Sequence, residues 1–177
     1  MTPAWRDWTI HTFEPNPNFL TFYSSLPANI IHHPQAIWTA PCVKDFYVSA
    51  HGNGSTLMRE KSSGNIDFAH PVRISCVDFG KWLQDTVTAE DHVIVKLDVE
   101  GAEYEVLRGL FKDGSIRLID RLYIEFHYDK IGLDVGEHDR LVEDLNKAGL
   151  TPNPWDALKF SSDEMIEKYR QIMGPLD

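Results

Sequence analysis

The stretch from residue 92 to residue 126 constrains this chain most. His92-Val93-Ile94-Val95-Lys96-Leu97 is a run of strand length and composition, and behind it Ala102, Val106, Leu107, Leu110 and Phe111 recur at helical spacing. A second apolar run over residues 118–126 holds Leu118, Ile119, Leu122, Tyr123, Ile124 and Phe126, dense enough to predict a strand covered on both faces. Strand, sharp turn, helix and strand in that order are the parts of a right-handed parallel crossover. The fold class is therefore α/β with a mainly parallel sheet. Ligands of such sheets sit beyond the carboxyl ends of the strands, so the residues just past each strand are the ones to weigh.

The rest of the chain fits that class. Residues 8–13 alternate and are rich in strand formers, and the prolines of Glu14-Pro15-Asn16-Pro17 stop them. A short helix is expected over residues 18–25, and strands over 29–33, 36–40, 45–50 and 72–77, the last leading into a helix over 78–86. A helix over 137–148 buries Leu141, Leu145 and Ala148 and stops at Gly149, which suits the left-handed position after a helix. Residues 150–155 add a strand, and Ser161-Ser162-Asp163-Glu164 has capping-box spacing before a helix with Met165, Ile166, Tyr169 and Met173 on one face. Residues 51–65, with their glycines and serines, read as an exposed loop, and the GxG within them, lacking a third glycine and a following helix, as a turn.

Composition narrows the function. A chain of 177 residues that is 42% hydrophobic supports one core, so 1–177 is expected to be a single domain. A net charge of −10, from 27 acidic against 17 basic residues, argues against nucleic acid, whose phosphates require clustered Lys and Arg. Cys42 and Cys76 form no CxxC pattern, and a reducing, cytoplasmic setting is expected. No export signal and no apolar run of membrane-spanning length stands in the sequence, so no membrane partner is expected.

Glu14, Asp98 with Glu100, and Glu125 with His127 lie just past strands. Glu14 follows a strand where α/β folds place an acid to accept from ribose hydroxyls, or it is a solvated acid opening a turn. Asp98-Val99-Glu100-Gly101-Ala102-Glu103 crowds carboxylates at a helix start. Either Asp98 or Glu100 is the cap, with Glu103 closing a box on Glu100, or the crowding raises a carboxylate pKa and marks a general base. Glu125 and His127 share a strand face and, with Asp98 on a neighbouring strand, bring two acids and an imidazole together. The bland alternative is that His127 merely ends the strand. The same three side chains could ligate a divalent metal, but their spacing matches no ligand motif, and no metal is assigned. His32 and His33, adjacent on a strand, point to opposite faces and cannot serve one site.

Phe13-Glu14-Pro15-Asn16-Pro17, then Lys96-Leu97-Asp98-Val99-Glu100-Gly101-Ala102-Glu103, then Glu125-Phe126-His127 resemble, in order, the FEPNP, K-x-D-x-EGAE and E-x-H segments of the FkbM family of methyltransferases. The resemblance runs from about residue 9 to about residue 155. It implies a Rossmann-like sheet and S-adenosylmethionine-dependent O-methylation of a hydroxyl on a small molecule or glycan. By the same resemblance, Glu14 binds the cofactor's ribose, Asn16 lies near its adenosine, Asp98 lies beside its methionine end and the acceptor, and Glu125 and His127 shape the acceptor pocket, with Asp98 and His127 orienting and deprotonating the hydroxyl. Members of the family carry a strand and a D-x-G-x-x-x-G loop before FEPNP, whereas the twelve residues before Phe13 hold no glycine. The resemblance therefore implies a sheet lacking that strand and loop, and weak or no cofactor binding by these 177 residues. The alternative is a non-catalytic domain that binds a partner or a carbohydrate-like ligand through the old acceptor cleft.

Overall fold

A computed structural model describes residues 4–50, 54–155 and 164. The chain divides into two compact units, Met1–Pro34 with Asp156–Asp177, and Gln35–Trp155.

In the first unit, strands β1 (Ile10–Phe13) and β2 (Ile30–His33) pair in parallel, from Ile10 opposite Ile30 to Phe13 opposite His33. The Asn29 side chain donates to the Trp8 carbonyl at 2.9 Å and ties the two strand entrances together. As strand alternation requires, the two adjacent histidines separate. His33 stacks on Phe13 at 4.5 Å and bonds His11, while His32 stacks on Tyr23 at 3.9 Å and bonds Thr12. The helix expected over 18–25 is instead two 3-10 turns, Pro17–Phe19 and Phe22–Ser25. Asn16 caps the first of these turns, and Leu20 and Thr21 separate it from the second.

The second unit opens with β3 (Ala36–Trp38), β4 (Cys42–Phe46) and β5 (Val72–Asp78), ordered β3-β5-β4, with β5 parallel to β3 and antiparallel to β4. The strand expected at 45–50 thus begins at Cys42 and ends at Phe46. Beyond it, Tyr47 and Ser49 make single antiparallel bridges to Thr56 and Ile66, folding the following stretch back onto the unit. That stretch is exposed at residues 59–60 and 62–65, as its composition suggests, but not throughout. Thr56 is 1% and Lys61 3% exposed, because both are held by partners elsewhere in the unit; 51–53 lie outside the described residues.

Helix α1 (Phe79–Thr86) follows β5, capped by Asp78, whose carboxylate accepts from the Lys81 N–H at 3.0 Å. Next come β6 (Ile94–Leu97), α2 (Glu103–Asp113), a 3-10 turn (Ser115–Leu118), β7 (Arg121–Ile124), α3 (Val135–Lys147) and β8 (Pro152–Pro154). These strands form a parallel sheet ordered β6-β7-β8. Four of the five strand pairs in the described residues are therefore parallel, with β4-β5 the antiparallel one. The architecture is α/β with mixed sheets.

Strand β7 is shorter than its apolar run because Leu118 closes the 3-10 turn, and it is not covered on both faces. Leu122 and Ile124 are buried, Tyr123 is half-buried and Arg121 exposed. Strand β6 is an edge of its sheet among the described residues, which leaves Lys96 exposed while Leu97 is buried. Leu83, Leu97, Leu107, Leu110, Leu122, Ile124 and Leu145 are among the core of this unit, each contributing about 1.5–3 kcal/mol by leaving water. Gly149 has φ +83 just past Ala148, the cap residue of α3, and is the left-handed stop its position predicts. The capping box at 161–164 lies outside the described residues apart from Glu164, which is helical. Among the described residues, no helix is long and apolar enough to cross a membrane.

Candidate active site

Parallel pairing of β6 with β7 sets Leu97 opposite Ile124, and the Glu125 N–H donates to the Leu97 carbonyl at 3.1 Å. Asp98 and Glu125 therefore leave the same end of neighbouring strands, the end where α/β sheets bind ligands.

Between Asp98 and α2 the chain makes a sharp turn through two left-handed residues, Glu100 at φ +55 and Gly101 at φ +109. A side chain at 101 would place its Cβ 2.5 Å from Ile131 Cγ2 and 3.1 Å from Met58 Cγ, so glycine is required there by space as well as by φ. Glu100 has a Cβ and bears a cost of about 1–2 kcal/mol for its conformation. Its surroundings over-determine it. The Thr56 hydroxyl donates to the Glu100 carbonyl at 2.7 Å, and the buried Lys61 ammonium donates both to the Glu100 carboxylate and to the Gly54 carbonyl at 2.6 Å. Neither Asp98 nor Glu100 caps α2. Ala102 occupies the cap position with no side-chain bond, and Lys96 pairs with Asp98 at 3.0 Å.

Glu103 does the capping work by reaching backwards. Its carboxylate accepts from the Val99 and Gly101 N–H groups and not from Glu100, so the expected box closes on different residues. It is fully buried, and its Oε1 lies 2.9 Å from His127 Nδ1. A carboxylate can only accept, so Nδ1 carries the proton in that bond. His127 Nε2 then faces Glu100 Oε2 and Glu125 Oε1, each at 3.4 Å. Burial lowers the His127 pKa, but the Glu103 hydrogen bond and the charges of Glu103 and Glu100 outweigh it, and the net shift is upward. Asp98, Glu125 and His127 each offer a ligand atom, all within 4.8 Å of one another.

In the other unit, Glu14 follows β1 and its Oε1 accepts from the Asn16 N–H at 2.7 Å. Burial raises the Glu14 pKa, and the Asn16 N–H partly offsets the rise. Asn16 is buried and caps the first 3-10 turn, its Oδ1 accepting from the Asn18 N–H at 3.0 Å.

A strand-end acid after β1 and an acid, acid and imidazole cluster after β6 and β7 stand in the order that the FEPNP, DVEGAE and E-x-H segments foretell. The model of the methyltransferase FkbM domain matches residues 2–149. The chain belongs to the FkbM methyltransferase family. No curated protein and no solved structure matches it significantly. Within this FkbM domain, reasoning from sequence singled out Asp98, Glu125 and His127, which the fold brings together. It missed Lys61 and Thr56, whose partners are set by a long-range contact with Glu100. It noted Glu103 only as a box residue, although a carboxylate at the first position of α2 is within reach of both the preceding turn and the neighbouring strand end.

Proposed function

We propose that this FkbM-family chain is an S-adenosylmethionine-dependent O-methyltransferase acting on a hydroxyl of a small molecule or glycan. The observation that carries the reading is the convergence of Asp98, Glu125 and His127 at the carboxyl ends of two parallel strands. Glu14 fits a ribose-binding role: it stands at a strand end, one carboxylate oxygen is held by the Asn16 N–H, and the other is left to accept from hydroxyls. Asn16 shapes the backbone beside it.

When bound, the cofactor supplies an electrophilic methyl on a sulfonium. The protein's share of the reaction is positioning, with modest help in proton removal. Asp98 is partly exposed and accepts the hydrogen bond of the acceptor hydroxyl, aligning its oxygen and receiving its proton. His127, locked by Glu103, holds the Glu125 and Glu100 carboxylates around it and sets the shape and charge of the acceptor side.

The test is transfer of a labelled methyl from S-adenosylmethionine to a panel of polyhydroxylated compounds, with the product oxygen located by NMR. Asp98→Asn should lower the rate by about 100-fold or more with little change in melting temperature. Label on nitrogen or carbon, or an unchanged rate in Asp98→Asn, contradicts the assignment.

A further inference from the structure

We propose that Asp98, Glu125 and His127 form a site for a first-row divalent cation at the carboxyl ends of β6 and β7. Three observations carry it. The three ligand atoms lie within 4.8 Å of one another, a spacing that one small cation can bridge. His127 is 1% exposed, yet its Nε2 has no hydrogen-bond partner and is directed at the carboxylates. Its Nδ1 is fixed by the buried Glu103 carboxylate, which turns the Nε2 lone pair toward the cluster and raises its basicity, the arrangement found behind metal-binding imidazoles.

The carboxylates of Asp98, Glu100, Glu103 and Glu125 gather around His127, with the ammonium groups of Lys96, Lys61 and Lys130 beside Asp98, Glu100 and Glu125. Lys61 is committed to Glu100 and Gly54. Lys96 and Lys130 are partly exposed and can yield, since ion pairs of that kind are worth little in water. Two carboxylates and one imidazole favour a cation that accepts both oxygen and nitrogen, Mn2+ or its neighbours, over Mg2+ or Ca2+. The remaining coordination positions would take oxygen donors of a hydroxylated acceptor; that role rests on the methyltransferase reading, whereas cation binding does not.

The competing occupant of Nε2 is a proton, and Mn2+ titration followed by electron paramagnetic resonance separates the two. The full chain, without cofactor or acceptor, should remove one Mn2+ per molecule from the free signal. Glu125→Gln and His127→Gln should each weaken that binding about tenfold or more, and Asp67→Asn, at the exposed Asp67–His70 pair, should leave it unchanged. Circular dichroism establishes that each variant is folded; should His127→Gln unfold, the partly exposed Glu125 decides the matter. Absence of stoichiometric binding, or full binding by folded Glu125→Gln, overturns the site. A folded wild type that transfers methyl yet binds no Mn2+ would sink this inference alone. Mn2+ binding by a chain that neither binds S-adenosylhomocysteine nor transfers methyl would sink the functional reading alone.

Discussion

Glu103 and His127 meet at 2.9 Å with both side chains buried, and through this pair α2, the turn before it and the end of β7 are joined. The Glu103 carboxylate serves the Val99 and Gly101 N–H groups as well as the imidazole. Glu103→Gln has a single acceptor oxygen and turns an NH2 group toward one of those donors. It should lower unfolding free energy by about 1–3 kcal/mol. A double-mutant cycle with His127→Asn, read by urea unfolding, should give a coupling of about 1.5 kcal/mol or more. Additive losses would show that the pair is not a unit.

The Lys61–Glu100 pair is asymmetric, with the Lys61 side chain 1% and the Glu100 side chain 22% exposed. Removing the partner of the more deeply buried charge costs more, because that charge has no water to fall back on. Glu100→Gln should therefore destabilise by about 2–4 kcal/mol and Lys61→Met by about 1–2 kcal/mol, measured by chemical denaturation. The reverse order would show that the ammonium is hydrated in solution.

Much of this was legible from residue types. The apolar runs ending at Leu97 and Phe126 gave adjacent parallel strands, and Asp78 and Gly149 marked the start of α1 and the stop after α3. Those features follow from local preference. The turn at Glu100 does not: a left-handed glutamate is locally unfavourable and exists because Thr56 and Lys61, some forty residues earlier, hold its carbonyl and carboxylate. The same contact buries Thr56 and Lys61 within a stretch whose described glycines and serines stay exposed or half-buried. The 3-10 turns after Asn16 were missed as well, since residue types that favour helical backbone do not distinguish an α-helix from short 3-10 turns.

Glu14 sets function against stability. Burial holds its carboxyl above the ordinary 4.5. A folded-state pKa raised above the unfolded one stabilises the fold below the unfolded value, and that contribution is lost as pH rises through the folded value. Glu14→Gln keeps an acceptor for the Asn16 N–H and removes the charge. Its melting temperature should exceed that of the wild type at about pH 7 and converge with it at about pH 4. Equal melting curves at both values would indicate that the carboxylate is well solvated.

The central claim, that this FkbM-family chain binds S-adenosylmethionine through the acid after β1, is tested most directly by calorimetric titration with S-adenosylhomocysteine. The account predicts weak but saturable binding by the wild type that Glu14→Gln lowers by about tenfold or more, with Asp67→Asn unaffected. No saturable heat from the folded wild type, or equal affinity in Glu14→Gln, would contradict it.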